Sequence, residues 1–194
     1  MKVLILGAGV IGVTTAYFLN RAGHDVLVLD RQPGAGLETS FANGGQISAS
    51  HSAPWSSPSA PRLMLKWLGR RDAPLLWRLR ADPQQWFWGL RFLANCLPSH
   101  AAINTQKNLT LGLYSRSLMG EIRAEANIRY DERTLGILQI FRNNEQLDKA
   151  ARDAETLTRM GCRETILDRD GCFAVEPALR DTGDDIVGGV HAPG

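Results

Sequence analysis

Three glycines near the start of the chain, Gly7, Gly9 and Gly12, have the spacing GxGxxG. In this spacing the first glycine permits a tight turn, the second lets the backbone approach a pyrophosphate, and the third lets a helix pack closely on a strand. Asp30 follows Gly12 by 18 residues and can accept hydrogen bonds from the ribose hydroxyls of an adenosine. These four residues predict a dinucleotide-binding turn, and the alternative is a glycine-rich turn that binds no ligand.

The segments around the glycines have the pattern needed to position them. Residues 3–6 are a short apolar run typical of a buried parallel strand, residues 12–20 suit a helix that ends before Gly23, and residues 26–29 are a second apolar run. The pattern predicts one strand–helix–strand unit, with unpaired N–H groups and the positive end of the helix dipole at the glycines. Because the pattern continues unbroken after the glycines, we do not interpret the apolar start as a secretory leader.

The segment after Asp30, RQPGAGLETSFANGGQIS at residues 31–48, is polar and rich in glycine and small hydroxyl side chains. A nicotinamide enzyme normally continues directly into the next strand–helix unit, whereas a loop of this kind can close over phosphates and reach a flavin ring. The segment therefore favours FAD, although an ordinary solvated loop has the same composition. Asp30 argues against a 2′-phosphate, and Arg31 beside it leaves NADP as an alternative.

The combination of VLILGAGVIGVTTAYFL, GHDVLVLDRQPGAGLETSFANGGQIS and the APW at residues 53–55 resembles the amino-terminal part of the FAD-dependent D-amino-acid oxidase and glycine oxidase superfamily. Shorter matches are NCLPSH at 95–100, YSR at 114–116 and VEPAL at 175–179. The resemblance implies FAD as cofactor and oxidative deamination of a D-amino acid, such as D-alanine, to a 2-oxo acid and ammonia. It also implies that the electrons pass to a respiratory acceptor, a quinone. Substrate contacts in this superfamily lie mostly beyond the matched part, so no catalytic residue is assigned.

The fold class expected from the pattern and the resemblance is α/β. An FAD-binding Rossmann-like βαβ unit would be followed by part of an α+β substrate domain, in a truncated two-domain flavoprotein. Residues 1–60 would be the first segment of a discontinuous FAD-binding domain, and residues 61–194 a helical segment and a partial substrate domain. The residues predicted to bind FAD are Val3, Leu4, Ile5, Leu6, Gly7, Ala8, Gly9, Val10, Ile11, Gly12, Asp30, Arg31, Thr39, Ser40, Asn43, Gly44 and Gly45.

Four further elements are expected in the second part of the chain. Apolar spacing predicts helices over residues 104–126 and 145–160. Strands are predicted at GILQIF (136–141) and VGGV (187–190), the first of them in an antiparallel sheet.

Composition and charge argue against several classes of function. Of the 194 residues, 44% are hydrophobic and 22% are charged, and the net charge is +2. A globular protein is therefore expected, and nucleic acid is not indicated as a partner. Cys96, Cys162 and Cys172 are far apart without a CxxC pair, which favours reduced thiols and no metal site. His51 and His100 have no sequence partner for nucleophilic or metal chemistry.

A basic segment rich in tryptophan spans residues 62–91. Its cations are Arg62, Lys66, Arg70, Arg71, Arg78, Arg80 and Arg91, and its tryptophans are Trp67, Trp77, Trp86 and Trp88. Trp86, Leu90, Leu93 and Leu97 share one helical face. We expect this face to pack on the body of the protein, and the alternative is peripheral contact with an anionic membrane surface. The expected localisation is cytoplasmic, with the cytoplasmic face of the inner membrane as the alternative.

Two other functions stay open on the sequence alone. An NAD(P)-dependent dehydrogenase or reductase would bind its nicotinamide cofactor at the same turn, but it leaves the loop at residues 31–48 without a role. An inactive truncated fragment would fold poorly, or only with a complementary half, because its first two strands would have an open sheet edge.

Overall fold

The computed structural model describes residues 1–67, 69–70, 72, 80–182 and 185–193. The chain forms two compact units, Met1–Gln46 and Ile47–Gly194. The domain boundary predicted after residue 60 lies inside the second unit, and the assignment of an FAD-binding segment and a substrate domain stays a prediction.

The first unit is the predicted strand–helix–strand. Strand β1 (Lys2–Leu6), helix α1 (Val10–Arg21) and strand β2 (Asp25–Leu29) follow one another along the chain. The two strands are parallel and pair along their whole length. Gly23 follows α1 with a φ of +84°, a backbone conformation that favours glycine at the end of a helix.

Helix α1 covers one face of this two-stranded sheet. Ile5 faces α1, since its Cγ2 lies 3.5 Å from the position that a Cβ would take at Gly12. The alternate residues of both strands are half-buried, whereas Leu6 and Leu27 on the opposite face are 79% and 59% exposed. The expectation of buried strands is therefore wrong for one face, because side chains alternate across a strand and the single helix covers one side.

The second unit combines helices with a small antiparallel sheet. Its helices are α2 (Ala60–Trp67), α3 (Pro83–Asn95), α4 (Pro98–Glu125), α5 (Asn144–Arg159) and α6 (Arg169–Val175), followed by a 3₁₀ turn at Pro177–Thr182. Its strands are β3 (Ile137–Phe141), β4 (Thr165–Leu167) and β5 (Gly188–Ala192), in the spatial order β3–β5–β4. The two predicted strands are β3 and β5, and the second predicted helix is α5. The first predicted helix is part of α4, which begins earlier, at Pro98, because proline is well suited to a first helical turn.

Small side chains fill the core of the second unit. Leu109 and Cys172 have no exposed surface, and Leu109 packs against Cys162. At Gly189 a Cβ would lie 2.7 Å from the Cys172 Sγ, so the β5 backbone approaches this thiol directly. Burial raises the pKa of Cys96, Cys162 and Cys172, which keeps all three protonated at neutral pH as small apolar groups.

The tryptophan-bearing helix α3 does not bury the face that the sequence predicted. Trp86, Leu90, Leu93 and Leu97 are 51%, 68%, 45% and 54% exposed. The prediction that this face packs on the body of the protein is therefore wrong for this chain. Helix α3 instead packs on α4, and its Gly89 is buried.

The rest of the basic segment is described in part. Arg62 and Arg80 are exposed, as expected of solvated arginines, whereas Arg71, Trp77 and Arg78 lie outside the described residues. Among the residues that the structure describes, no helix combines the length and the apolar composition that crossing a bilayer requires.

Candidate functional site

Backbone sterics fix the turn between β1 and α1. Gly7 has a φ of +105°, in the left-handed region that favours glycine. Its N–H donates to the Leu29 carbonyl at 2.7 Å, which ties the turn to β2. At Gly12 a Cβ would lie 1.8 Å from the Gly7 carbonyl oxygen, a distance that no side chain can occupy. The first and third glycines of the motif are therefore required by the backbone itself.

The N-terminus of α1 presents unpaired backbone donors at this turn. Gly9 is the residue that caps the helix, and it has no side chain to bond the first turn. Within the described residues, the N–H groups of Ile11 and Gly12 have no acceptor, whereas the Val10 N–H donates to the Ser40 hydroxyl oxygen at 2.9 Å. Unpaired N–H groups at the positive end of a helix dipole are the donors that a phosphate requires.

The carboxylate of Asp30 lies against the turn from the end of β2. One of its oxygens accepts the Ala8 N–H at 2.6 Å and the other accepts the Gln32 N–H at 2.7 Å. These two bonds, the Ala8 bond above all, hold the pKa of Asp30 below its usual value. Each carboxylate oxygen keeps acceptor capacity for one more donor, which leaves room for the ribose contact that the sequence predicts.

An ion pair closes the loop that follows Asp30. The guanidinium of Arg31 donates one hydrogen bond to each carboxylate oxygen of Glu38, one of them at 2.7 Å. The Gln32 side-chain amide donates to the same carboxylate at 3.0 Å. The Arg31 bond first, and the Gln32 bond second, lower the pKa of Glu38 to about 2. Arg31 is engaged within the loop, which argues against its use on a 2′-phosphate.

Two contacts hold this loop against the glycine turn. The Gly36 N–H donates to the Ala8 carbonyl at 2.9 Å, and the Ser40 hydroxyl accepts the Val10 N–H. A Cβ at Gly9 would lie 3.2 Å from the Ser40 Oγ, tighter than an ordinary contact. The second glycine of the motif is therefore a point where the loop closely approaches the turn.

The remaining predicted loop residues form a turn of their own. The Asn43 side chain accepts the Gly45 N–H at 2.7 Å and donates to the Ser40 carbonyl at 2.8 Å. Gly45 has a φ of +63°, which favours glycine. Thr39 and Gly44 are exposed and, within the described residues, make no hydrogen bond to the glycine turn.

Gly36, Glu38 and Gln32, which are outside the predicted set, contribute to this arrangement, Gln32 through its bonds to Asp30 and Glu38. Gly36 binds the turn directly, and Glu38 fixes the position of Arg31. The opposite charges of Arg31 and Glu38 were a signal in the sequence, but helix and strand periodicity does not relate residues across a loop. Of the predicted residues, Gly7–Gly12, Asp30 and Ser40 lie at the turn, whereas Arg31 faces Glu38.

The residues at the turn fit the pyrophosphate and the adenosine ribose of a dinucleotide. The N–H groups of Ile11 and Gly12, which have no acceptor in the described residues, supply the donors. Asp30 supplies an ionised acceptor. Within the described ranges, no three His, Cys, Asp or Glu side chains are grouped to hold a metal ion.

The whole chain is similar to curated bacterial proteins. It is 52% identical over 194 residues to the D-amino acid dehydrogenase of Paramagnetospirillum magneticum (strain ATCC 700264 / AMB-1). It is 47% identical over 194 residues to the D-amino acid dehydrogenase of Azorhizobium caulinodans. The chain spans 46% of the length of each of these relatives.

Solved structures and a family model give the same fold. The chain aligns with the glycine oxidase of Bacillus cereus ATCC 14579 at a TM-score of 0.51 and 19% identity, over 99% of this chain and 38% of that one. For the glycine oxidase of Geobacillus kaustophilus the TM-score is 0.57 at 19% identity, over 98% and 38% of the two chains. Residues 2–194 match the family model described as FAD dependent oxidoreductase. The predicted fold and the predicted superfamily are confirmed, and the chain belongs to the FAD dependent oxidoreductase family.

Proposed function

We propose that this protein oxidises D-amino acids, such as D-alanine, to 2-oxo acids and ammonia with FAD as its cofactor. The observation that carries the proposal is the similarity of 47–52% identity to two D-amino acid dehydrogenases across the whole chain. The turn supports it, because its free donors and its acidic residue suit the phosphates and the ribose of FAD. The activity proposed is that of a complete protein, since the chain spans 46% of its relatives.

In this proposal the described residues bind and orient the cofactor. The N–H groups of Ile11 and Gly12 donate to the pyrophosphate, and Asp30 accepts from the ribose hydroxyls. Ser40 keeps the loop that follows β2 against the turn, so that residues 39–45 lie beside the bound cofactor. When bound, FAD supplies a ring that accepts a hydride from the substrate Cα, after which the imino acid is hydrolysed.

The domain assignment belongs to the same proposal. Residues 1–60 are the first segment of a discontinuous FAD-binding domain, and residues 61–194 are a helical segment and part of a substrate domain. The strand–helix–strand of the first unit and the antiparallel sheet of the second unit support this division.

A titration of the 194-residue chain with FAD, and separately with NADH, tests the cofactor site. The expected result is saturable quenching of flavin fluorescence by the chain, without a change in NADH fluorescence. The control is FMN, which has the flavin ring but lacks the adenosine and the pyrophosphate. Binding of NADH alone, or equal binding of FMN and FAD, would contradict the proposed site.

A chimera tests the reaction. This chain replaces the matching 46% of the P. magneticum dehydrogenase, and the remainder of that enzyme is kept. We expect the purified chimera to retain FAD and to reduce a quinone analogue with D-alanine and not with L-alanine. A folded chimera that holds FAD but leaves D-alanine unchanged would contradict the proposed activity, while the unmodified relative serves as the positive control.

We further propose a cytoplasmic protein that delivers electrons to a membrane quinone through peripheral contact by α3. The exposed side chains of Trp86, Leu90 and Leu93 on α3, and of Leu97 just after it, support this contact. Co-sedimentation with vesicles of anionic and of zwitterionic phospholipid tests it, and Leu90→Glu should lower the bound fraction about tenfold. Leu111→Glu on α4 is the control, because Leu111 is as exposed as Leu90 (67% against 68%). Equal effects of the two substitutions would contradict the assignment of α3.

A further inference from the structure

A cavity of about 470 Å³ lies in the second unit, between α3, α4 and a loop that contains Pro54 and Ser56. Its volume falls in the range of sites for small molecules. All of its lining residues belong to the second unit, and none of them is a residue predicted to bind FAD. The cavity is therefore a feature separate from the glycine turn.

The charged side chains that line this cavity are positive. Arg91 and Lys107 line it, and among the residues that the structure describes no acidic side chain does. In the described part of the chain neither cation is paired with a carboxylate. The Arg91 guanidinium lies 4.3 Å from the centre of the Phe87 ring. A cation–π contact does not neutralise the guanidinium, which keeps its positive charge for an anion.

The apolar part of the lining is aromatic. Trp88 and Phe92 both line the cavity, and their rings are stacked with centroids 5.3 Å apart and planes 24° apart. Stacking restricts the movement of both rings before a ligand binds. A planar or apolar group that packs on them therefore causes little further loss of side-chain entropy.

Side-chain amides make the neutral polar part of the lining, and hydrogen bonds hold them in place. Asn104 donates to the Asn95 side-chain oxygen at 2.9 Å, and Asn95 donates to the Arg91 carbonyl at 2.8 Å. Asn108 donates to the Ser52 carbonyl at 3.0 Å. This part of the lining is formed before a ligand arrives, and because it carries no charge it does not neutralise the two cations.

We propose that this cavity binds a small organic carboxylate that bears a planar or apolar group. Arg91 and Lys107 hold the carboxylate, because two unpaired cations on one cavity attract an anion and donate charge-assisted hydrogen bonds to it. Trp88 and Phe92 contact the planar or apolar group. The proposal is independent of the proposed function, since it uses no residue of the glycine turn.

Titration calorimetry of the 194-residue chain with phenylacetate tests the proposal. Phenylacetamide has the same shape without the charge, and acetate has the charge without the ring. We expect phenylacetate to bind at one site, and the other two compounds to bind at least about tenfold more weakly, the scale of one charge-assisted hydrogen bond or one buried ring. Absence of phenylacetate binding, or equal binding of phenylacetamide, would overturn the proposal.

Variants locate the binding in the cavity. Lys107→Gln and Arg91→Gln should each weaken phenylacetate binding about tenfold. Arg152→Gln on α5 makes the same charge change away from the cavity and should leave the affinity unchanged. Lys107→Gln is the deciding variant, since the Lys107 side chain makes no hydrogen bond or ion pair within the described residues, whereas Arg91→Gln also removes the Phe87 contact. Wild-type affinity in the folded Lys107→Gln variant would overturn the proposal.

Discussion

The glycine turn and the loop after β2 contact each other, but they are held by different forces. At the turn, the φ of Gly7 and the 1.8 Å between the Gly7 oxygen and a Cβ at Gly12 leave the backbone no other residue type. The loop depends on hydrogen bonds of Glu38 and Ser40. A side chain that overlaps the backbone cannot be accommodated in part, whereas a hydrogen bond lost at an exposed position can be replaced by one to water. We therefore expect substitutions in the turn to abolish FAD binding, and substitutions in the loop to weaken it.

The largest effect is expected from Gly12→Ala. The new Cβ would overlap the Gly7 carbonyl oxygen, so the turn cannot form and α1 cannot start where it does. We expect FAD binding to be lost and the unfolding free energy of the first unit to fall by about 4 kcal/mol or more, as for a severe backbone clash. FAD titration and urea denaturation followed by circular dichroism measure the two effects.

Gly34→Ala is the matched control for this change. A Cβ at Gly34 would make an ordinary contact, 3.5 Å from the Leu37 Cδ1. If both alanine variants retain FAD binding, the turn is not the site of binding.

The second prediction concerns Gly9, where a substitution should abolish FAD binding and leave the fold intact. Gly9 has a φ of −72°, which any residue adopts, so Gly9→Val should fold. Its side chain would occupy the approach to the α1 N-terminus and press on Ser40, and we expect FAD binding to be abolished. Unchanged FAD affinity in a folded Gly9→Val variant would show that no phosphate approaches the turn here.

This contrast explains which parts could be predicted from the sequence. The glycine spacing, both strands and Asp30 were predictable, because backbone sterics and strand pairing act on residues at fixed spacing. The contacts of Gly36 and Glu38 were not, because a loop has no period that relates its side chains. The exposed face of α3 was also missed, since helical spacing identifies an apolar face but not what covers it.

A smaller effect is expected from Ser40→Ala. The substitution removes the acceptor of the Val10 N–H and one of the two contacts between loop and turn. Because the Gly36 contact remains, we expect FAD affinity to fall about fivefold, close to 1 kcal/mol for one hydrogen bond. Thr39→Ala removes a neighbouring exposed hydroxyl and should leave the affinity unchanged. Tighter binding by Ser40→Ala would instead mean that the hydroxyl competes with a phosphate for the Val10 N–H.

The smallest effect on FAD binding is expected from Arg31→Gln. This substitution also tests the ion pair of the loop directly. Arg31 is the main cause of the Glu38 pKa of about 2, so the pKa of Glu38 should rise towards its usual value of 4.5 in the variant. Because the folded-state pKa is depressed, the ion pair contributes fully above pH 4.5 and is lost as the pH falls towards 2.

Carboxyl ¹³C chemical shifts followed against pH measure this change, and Asp30 provides the internal control. The pKa of Asp30 is lowered mainly by the N–H groups of Ala8 and Gln32, and the charge of Arg31 has a smaller influence on it. The Asp30 pKa should therefore change little in Arg31→Gln. The Arg31–Glu38 pair is exposed to solvent, with 79% of the Arg31 side chain and 43% of the Glu38 side chain accessible, so FAD affinity near neutral pH should change less than it does in Ser40→Ala. A large rise in the pKa of Asp30 would mean that the Arg31–Glu38 pair also holds Asp30 against Ala8. Loop and turn would then be one cooperative unit, and the distinction between steric and hydrogen-bonded parts of the site would fail.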